Sequence, residues 1–165
     1  MRVAVVTISD SVSSGKYEDR SGPAVVARCK ELGWQVVVST ILRDDRSAIE
    51  TLLKDMADAT SAEIIDVIFT AGGTGLGPRD VTPEATIAVV ERLIPGFSEH
   101  MRSEGAKKTP RAILSRAVAG IRDETIIINL PGSPRGAVDS LDAIAELLPH
   151  AVAVLHGARH DSGPS

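Results

Sequence analysis

Asp10, Asp44 and Asp80 each follow an apolar run, and the third closes a segment crowded with glycine. One or two of these carboxylates would suit a magnesium ion, which is usually held by that many together with substrate phosphates and water. Residues 69–84 read Phe-Thr-Ala-Gly-Gly-Thr-Gly-Leu-Gly-Pro-Arg-Asp-Val-Thr-Pro-Glu, which puts Gly72, Gly73, Gly75 and Gly77 within six residues. Glycine lets a ligand approach backbone N–H groups closely, so a polyanion can rest against such a loop. Arg79 and Asp80 add a cation for phosphate and a carboxylate for a metal. A plain strand-to-helix turn needs only one or two glycines at positive φ; four with an Arg-Asp pair favour a binding loop. Two familiar phosphate motifs are excluded. A P-loop carries a lysine after its glycines, and here none follows. The GxGxxG fingerprint fails at Pro78, three residues after Gly75.

Three other segments are placed alike. Thr7-Ile8-Ser9-Asp10 ends the first apolar run, Arg43-Asp44-Asp45-Arg46 follows the second, and Pro131-Gly132-Ser133-Pro134-Arg135-Gly136 breaks the last. The aspartates also have structural readings: Asp10 as a turn cap, and Asp44 or Asp45 as the cap of the next helix. For Asp45, which stands just before Ser47, the cap is the better reading. Lys16, Arg20, Arg79 and Arg135 lie in or beside these segments. Singly each reads as a solvated charge; together they offset several phosphates, with Arg79 ranked first for its tie to the glycine loop. Gly132-Ser133-Pro134-Arg135-Gly136 is not the GxSxG elbow of a serine hydrolase. His156 and His160 have i, i+4 spacing, but Gly157 interrupts them and both read as solvent-exposed.

The elements that must carry these segments alternate. Residues 3–8, 34–42, 64–70 and 125–130 are short apolar runs without polar alternation, the pattern of strands covered on both faces. Pro23 opens a helix to about Leu32, closed by Gly33. Ile49, Leu52, Leu53, Met56 and Ala57 mark one stripe of a second helix, with Ser47 and Glu50 at capping-box spacing. A third runs from Pro83 to about Leu93, with Thr82 as N-cap and Pro83 at the first helical position. Residues 97–105 form a shorter helix, Val138 to Leu148 lie on another, and a last one spans about 149–157. Strand followed by helix, four times, predicts an α/β fold: a three-layer α/β/α sandwich with a mainly parallel sheet. Ligands bind such sheets beyond the carboxyl ends of the strands, and parallel strands bring all four polar segments to that one edge.

With 165 residues the chain reads as one domain over 1–158, followed by a mobile tail, 159–165. Tyr17, Trp34, Phe69 and Phe97 are its only aromatics, and the net charge is −4. Both speak against a nucleic-acid surface. Cys29 is the only cysteine, so there is no internal disulfide and no CxxC site; its spacing with Val25, Val26 and Leu32 makes it a core residue. No run is long enough to span a membrane and the N-terminus lacks a signal-peptide layout, so the expected compartment is cytoplasmic.

With these segments in view, the chain resembles the molybdopterin adenylyltransferase family, which includes the MogA and MoaB-like bacterial proteins and the G domain of gephyrin. The matching segments are Thr7-Ile8-Ser9-Asp10, Gly72-Gly73-Thr74-Gly75, Arg79-Asp80-Val81-Thr82-Pro83-Glu84 and Leu130-Pro131-Gly132-Ser133-Pro134. Pro95-Gly96-Phe97 and Ala112-Ile113-Leu114-Ser115-Arg116 belong to the same set. The resemblance implies a homotrimer that binds molybdopterin and Mg-ATP. The molybdopterin phosphate would attack the ATP α-phosphate, giving adenylyl-molybdopterin and pyrophosphate, with molybdenum inserted by a separate partner protein. It implies Asp80 and Asp44 as the catalytic and Mg2+-binding acids. Arg43 stands where the family often has proline, which leaves Asp45 in competition with Asp44, though strand register favours Asp44. It implies Ser9, Asp10, Gly72, Gly73, Thr74, Gly75, Arg79, Pro131, Gly132 and Ser133 as contacts to nucleotide or pterin. Related paralogues share these motifs, so a molybdopterin-binding or carrier protein without catalysis is the alternative.

Overall fold

The computed structural model describes residues 1–58 and 64–157. In chain order these form β1 (Arg2–Ile8), α1 (Asp10–Ser13), α2 (Ser21–Glu31), β2 (Gln35–Leu42), α3 (Arg46–Ala57), β3 (Val67–Ala71), α4 (Thr82–Val89) and β4 (Arg92–Leu93). They continue with α5 (Pro95–Lys108), a 3-10 helix (Pro110–Leu114), β5 (Ala119–Arg122), β6 (Thr125–Leu130), α6 (Pro134–Ile144) and α7 (Leu148–Leu155). The strands make one sheet in the order β2-β1-β3-β6-β5-β4. The first four run parallel, while β5 is antiparallel to β6 and β4 to β5.

The central strands β1, β3 and β6 are almost wholly buried because both faces are covered. β2, expected to be covered likewise, lies at the sheet edge with no fully buried residue. Val3, Val5, Val67, Phe69, Ile126 and Ile128 point to one side, against Val25 of α2, Met101 of α5, Leu141 of α6 and Leu148 of α7. Ala4, Val6, Ile68 and Ile127 point to the other, against Ile49 and Leu53 of α3 and Ala85 and Val89 of α4. Trp34 stacks on Phe69 with ring centroids 6.3 Å apart. Cys29 is fully buried in the first of these layers, and burial pushes its thiol pKa up to about 12, as suits a core residue.

The register puts the functional segments level. Ile8 pairs with Leu42, Thr7 with Ala71, and Ala71 with Leu130, so the carboxyl ends of β1, β2, β3 and β6 share one edge. Buried Asn129, at the end of β6, donates to Thr70 Oγ1 and Thr86 Oγ1 and accepts from Val118 N. It thereby ties β3, α4 and the start of β5 into the same edge.

Several local expectations are corrected. α4 stops at Val89, because Val90 turns extended and leads into β4. The N-cap of α4 is Val81; Thr82 is already helical, and Pro83 follows it. α3 is capped by Asp45, whose carboxylate accepts from Ala48 N at 2.9 Å, and Glu50 pairs with Arg46 instead of closing a box with Ser47. The helix expected over 97–105 extends over Pro95–Lys108. The antiparallel strands β4 and β5 were not expected. His156 Nε2 lies 3.0 Å from the Glu124 carbonyl; His160 and the tail 159–165 lie outside the described residues.

Candidate functional site

The end of β1 and the end of β2 clasp each other through two aspartates. Asp10 N donates to Asp44 Oδ2 at 2.8 Å, and Asp44 N donates to Asp10 Oδ1 at 3.0 Å. Arg79 reaches over from the glycine loop to this clasp. Its Nε and Nη2 donate to Asp10 Oδ2 and Oδ1 at 2.9 and 3.2 Å, and Nη2 also donates to the Asp44 carbonyl at 2.7 Å. Arg79, ranked first as a phosphate cation, is therefore engaged with Asp10 and lines neither cleft described below. Ser9 caps α1 by accepting from Val12 N. Asp45 is engaged as the α3 cap, whereas Asp44 lines the smaller cleft described below.

The glycine loop needs its glycines for stated reasons. Gly72 has φ +114°, and a Cβ there would overlap the Ile8 carbonyl oxygen. Gly73 has φ +64°, and its Cβ would overlap Thr82 Oγ1 and come within 3.0 Å of Asp44 Oδ1. Both conformations are costly for any residue with a side chain. Asp80 folds back so that its Oδ2 accepts from Gly77 N at 2.8 Å. The Gly132 backbone packs against Gly72, where an added Cβ would lie 3.3 Å from the Gly72 Cα. Ser133 caps α6 by accepting from Gly136 N at 3.2 Å.

Two clefts open on this edge. The larger, of about 480 Å3, is lined by Gly73, Thr74, Gly75, Asp80, Pro131, Gly132 and Ser133, with Met101, Ala112 and Leu114 giving it an apolar wall. The smaller, of about 390 Å3, is lined by Ser9, Asp19, Arg20, Asp44, Gly72, Gly73, Asp80, Gly132 and Pro134. Gly73, Asp80 and Gly132 border both. Lys16 lies over the Tyr17 ring, and Arg135, 89% exposed, pairs with Asp139; neither lines a cleft.

Electrostatics at the junction favour a cation. Burial raises the Asp44 carboxyl above its ordinary 3.8, the Asp10 N–H acts against that rise, and the nearby Asp10 and Asp80 charges add to it. Thr82 Oγ1 is buried under Gly73 with no hydrogen-bond partner. Among the described residues no group of three or more His, Cys, Asp or Glu is arranged to hold a metal alone. Asp44 and Asp80 both border the smaller cleft, a number of carboxylates that would suit a magnesium ion completing its shell from substrate phosphate and water.

Arg116 escaped the sequence reading as a site residue. It makes four kinds of contact to the glycine loop and α4, through Thr74, Gly75, Asp80 and Glu84. The one local sign was its place at the end of the Ala112–Arg116 segment shared with the family; its contacts to a loop some forty residues upstream left no mark in the sequence.

A family model described as "Probable molybdopterin binding domain" matches residues 4–150. The chain belongs to this molybdopterin-binding family. Among its relatives, a molybdopterin adenylyltransferase from Helicobacter pylori is 40% identical over 159 residues, covering 95% of this chain and 89% of that protein. The molybdopterin adenylyltransferase of Escherichia coli is 38% identical over 148 residues, covering 88% and 74%. The crystal structure of the molybdopterin biosynthesis enzyme MoaB from Thermus thermophilus superposes with a TM-score of 0.87 at 42% identity, covering 94% of this chain and 96% of that one. The glycine loop, the paired aspartates and the Pro131 segment all fall inside the span that matches the molybdopterin-binding family.

Proposed function

We propose that this chain is a molybdopterin adenylyltransferase acting in molybdenum cofactor biosynthesis. The observation that carries the reading is the pair of clefts meeting at Gly73, Asp80 and Gly132. A reaction that joins two large substrates through their phosphates needs two pockets with one shared wall. The larger, apolar-walled cleft suits the pterin, with Pro131 and Ser133 beside it. The smaller, more polar cleft, with Ser9, Arg20 and Asp44, suits the nucleotide.

An oxygen of the molybdopterin phosphate attacks the α-phosphorus of ATP. The bond from that phosphorus to the oxygen bridging to the β-phosphate breaks, pyrophosphate leaves, and a phosphoanhydride joins the two halves. The nucleophile belongs to the substrate, so the protein supplies positioning and charge rather than an activated side chain. Asp44 and Asp80 would hold a magnesium ion carried in with ATP, which offsets phosphate charge when bound. Loop amides around Gly73 and Gly75 approach the transferred phosphate without side chains in the way. Arg20 stands at the smaller cleft as a cation for the leaving pyrophosphate.

Incubation with Mg-ATP and molybdopterin is expected to release one pyrophosphate per adenylylated pterin. Calorimetric titration adds the decisive contrast: pterin binding without ATP binding would make the chain a carrier and overturn the enzymatic reading. The proposal extends to a cytoplasmic homotrimer that passes its product to a separate molybdenum-insertion protein. Light scattering at micromolar concentration should give three times the chain mass, and a monomer would remove the trimer. No helix among the described residues is long and apolar enough to cross a membrane.

A further inference from the structure

Residues 76–79 form the exposed arc of the glycine loop, with Leu76 and the Arg79 side chain each 68% exposed. Asp80 sits at the far end of that arc, and its own bonds to Gly77 are local to it. Arg79 ties the arc to Asp10 and the Asp44 carbonyl on one side, and Arg116 holds its two ends from the other. Its backbone N–H donates to the Thr74 carbonyl at 3.0 Å, and its Nε to the Gly75 carbonyl at 2.7 Å. Its Nη2 donates to the Asp80 carbonyl at 2.6 Å. Nη1 pairs with Glu84 on the first turn of α4. One planar guanidinium thus brackets the loop entrance, the loop exit and the helix that follows. Lysine has the charge but not the rigid fork that this needs. Arg116 lines neither cleft, although its neighbours Ser115 and Ala117 border the larger one, so it acts from behind the wall. The Arg116 guanidinium lowers the Glu84 carboxyl from its ordinary value, so the anchoring pair stays charged further into acid than a free carboxylate would.

We infer that Arg116 is a positioning residue for adenylyl transfer: it sets where the Asp80 carboxylate stands between the two clefts and acts through that carboxylate. The inference rests on the reading of Asp80 as the acid facing the transferred phosphate. A double-mutant cycle tests it. Arg116→Gln and Arg116→Lys, checked for folding by circular dichroism, are expected to lower kcat about a hundredfold, the size of effect an ångström-scale misplacement brings. KM for both substrates should change only about twofold, because neither cleft loses a lining residue. In the Asp80→Asn background the same substitutions should cost less than about twofold more in single-turnover transfer. If Arg116→Gln does not fold, Arg116→Lys alone carries the cycle. Equal losses in both backgrounds, or wild-type kcat in a folded Arg116 variant, overturn the inference while leaving the Asp80 reading intact. Wild-type turnover in Asp80→Asn itself overturns that underlying reading, and the two failures are read from different arms.

Discussion

Asp80→Asn is expected to slow adenylyl transfer on the order of a hundredfold or more, the scale seen when a group aimed at transition-state charge is removed. The asparagine oxygen can still accept from Gly77 N, the 2.8 Å bond that folds residue 80 back over the loop. The Asp80 carbonyl still accepts from Arg116. The loop therefore keeps its shape, and the melting temperature should stay near that of the unaltered protein. What is lost is a negative charge at a position bordering both clefts. Single-turnover release of pyrophosphate from Mg-ATP and molybdopterin measures the effect. A folded variant with undiminished release would remove Asp80 from the reaction.

Asp44→Asn should separate activity from stability in opposite directions. Turnover is expected to fall steeply, because half of the proposed magnesium-holding pair is neutralised. Stability at neutral pH is expected to rise. The Asp44 carboxyl is raised in the folded protein, first by burial and then by its proximity to Asp10 and Asp80. A carboxyl raised on folding favours the folded state when protonated, and that contribution is lost as pH rises through its folded value. At neutral pH the charged Asp44 therefore weighs against the fold, and an uncharged amide relieves it. The asparagine oxygen can still accept from Asp10 N, so the clasp between β1 and β2 survives. Thermal melts should show the variant ahead at pH 7 and level with the parent below about pH 4, where both side chains are neutral. In the parent, the acid limb of kcat/KM should lie above the ordinary carboxylate range. A variant that melts earlier at pH 7 would contradict this account.

How much of this was legible in the sequence depended on distance along the chain. β1, β3 and β6 showed as apolar runs because helices cover both faces, β2 showed through its Val and Ile content although it lies at the sheet edge, and their polar ends then had to meet. The cap role of Asp45 was legible from its place before Ser47. β5 was not, since Ala119–Arg122 is four residues with a glycine and an arginine, and β4 is only two residues long. Such strands exist through pairing rather than propensity. Thr82 looked like a helix cap because threonine before proline usually is one. In the fold its hydroxyl lies beneath Gly73 instead. Arg79 looked free for phosphate because nothing near it in sequence is acidic except Asp80; its partner Asp10 lies 69 positions away. The contacts of Arg116 were hidden for the same reason, although the residue itself closes a segment shared with the family.

The shared border of the two clefts has a kinetic consequence. A substrate that occupies only one cleft leaves when the contacts of that cleft open. Once a covalent bridge passes over Gly73 and Gly132, each half holds the other at high local concentration, and both must let go together. If the proposed transfer runs across this border, the joined product is expected to be retained more strongly than the pterin alone. Such a tandem arrangement would favour direct transfer to a next protein over release into water, and would make departure of the joined product the slow event of the cycle.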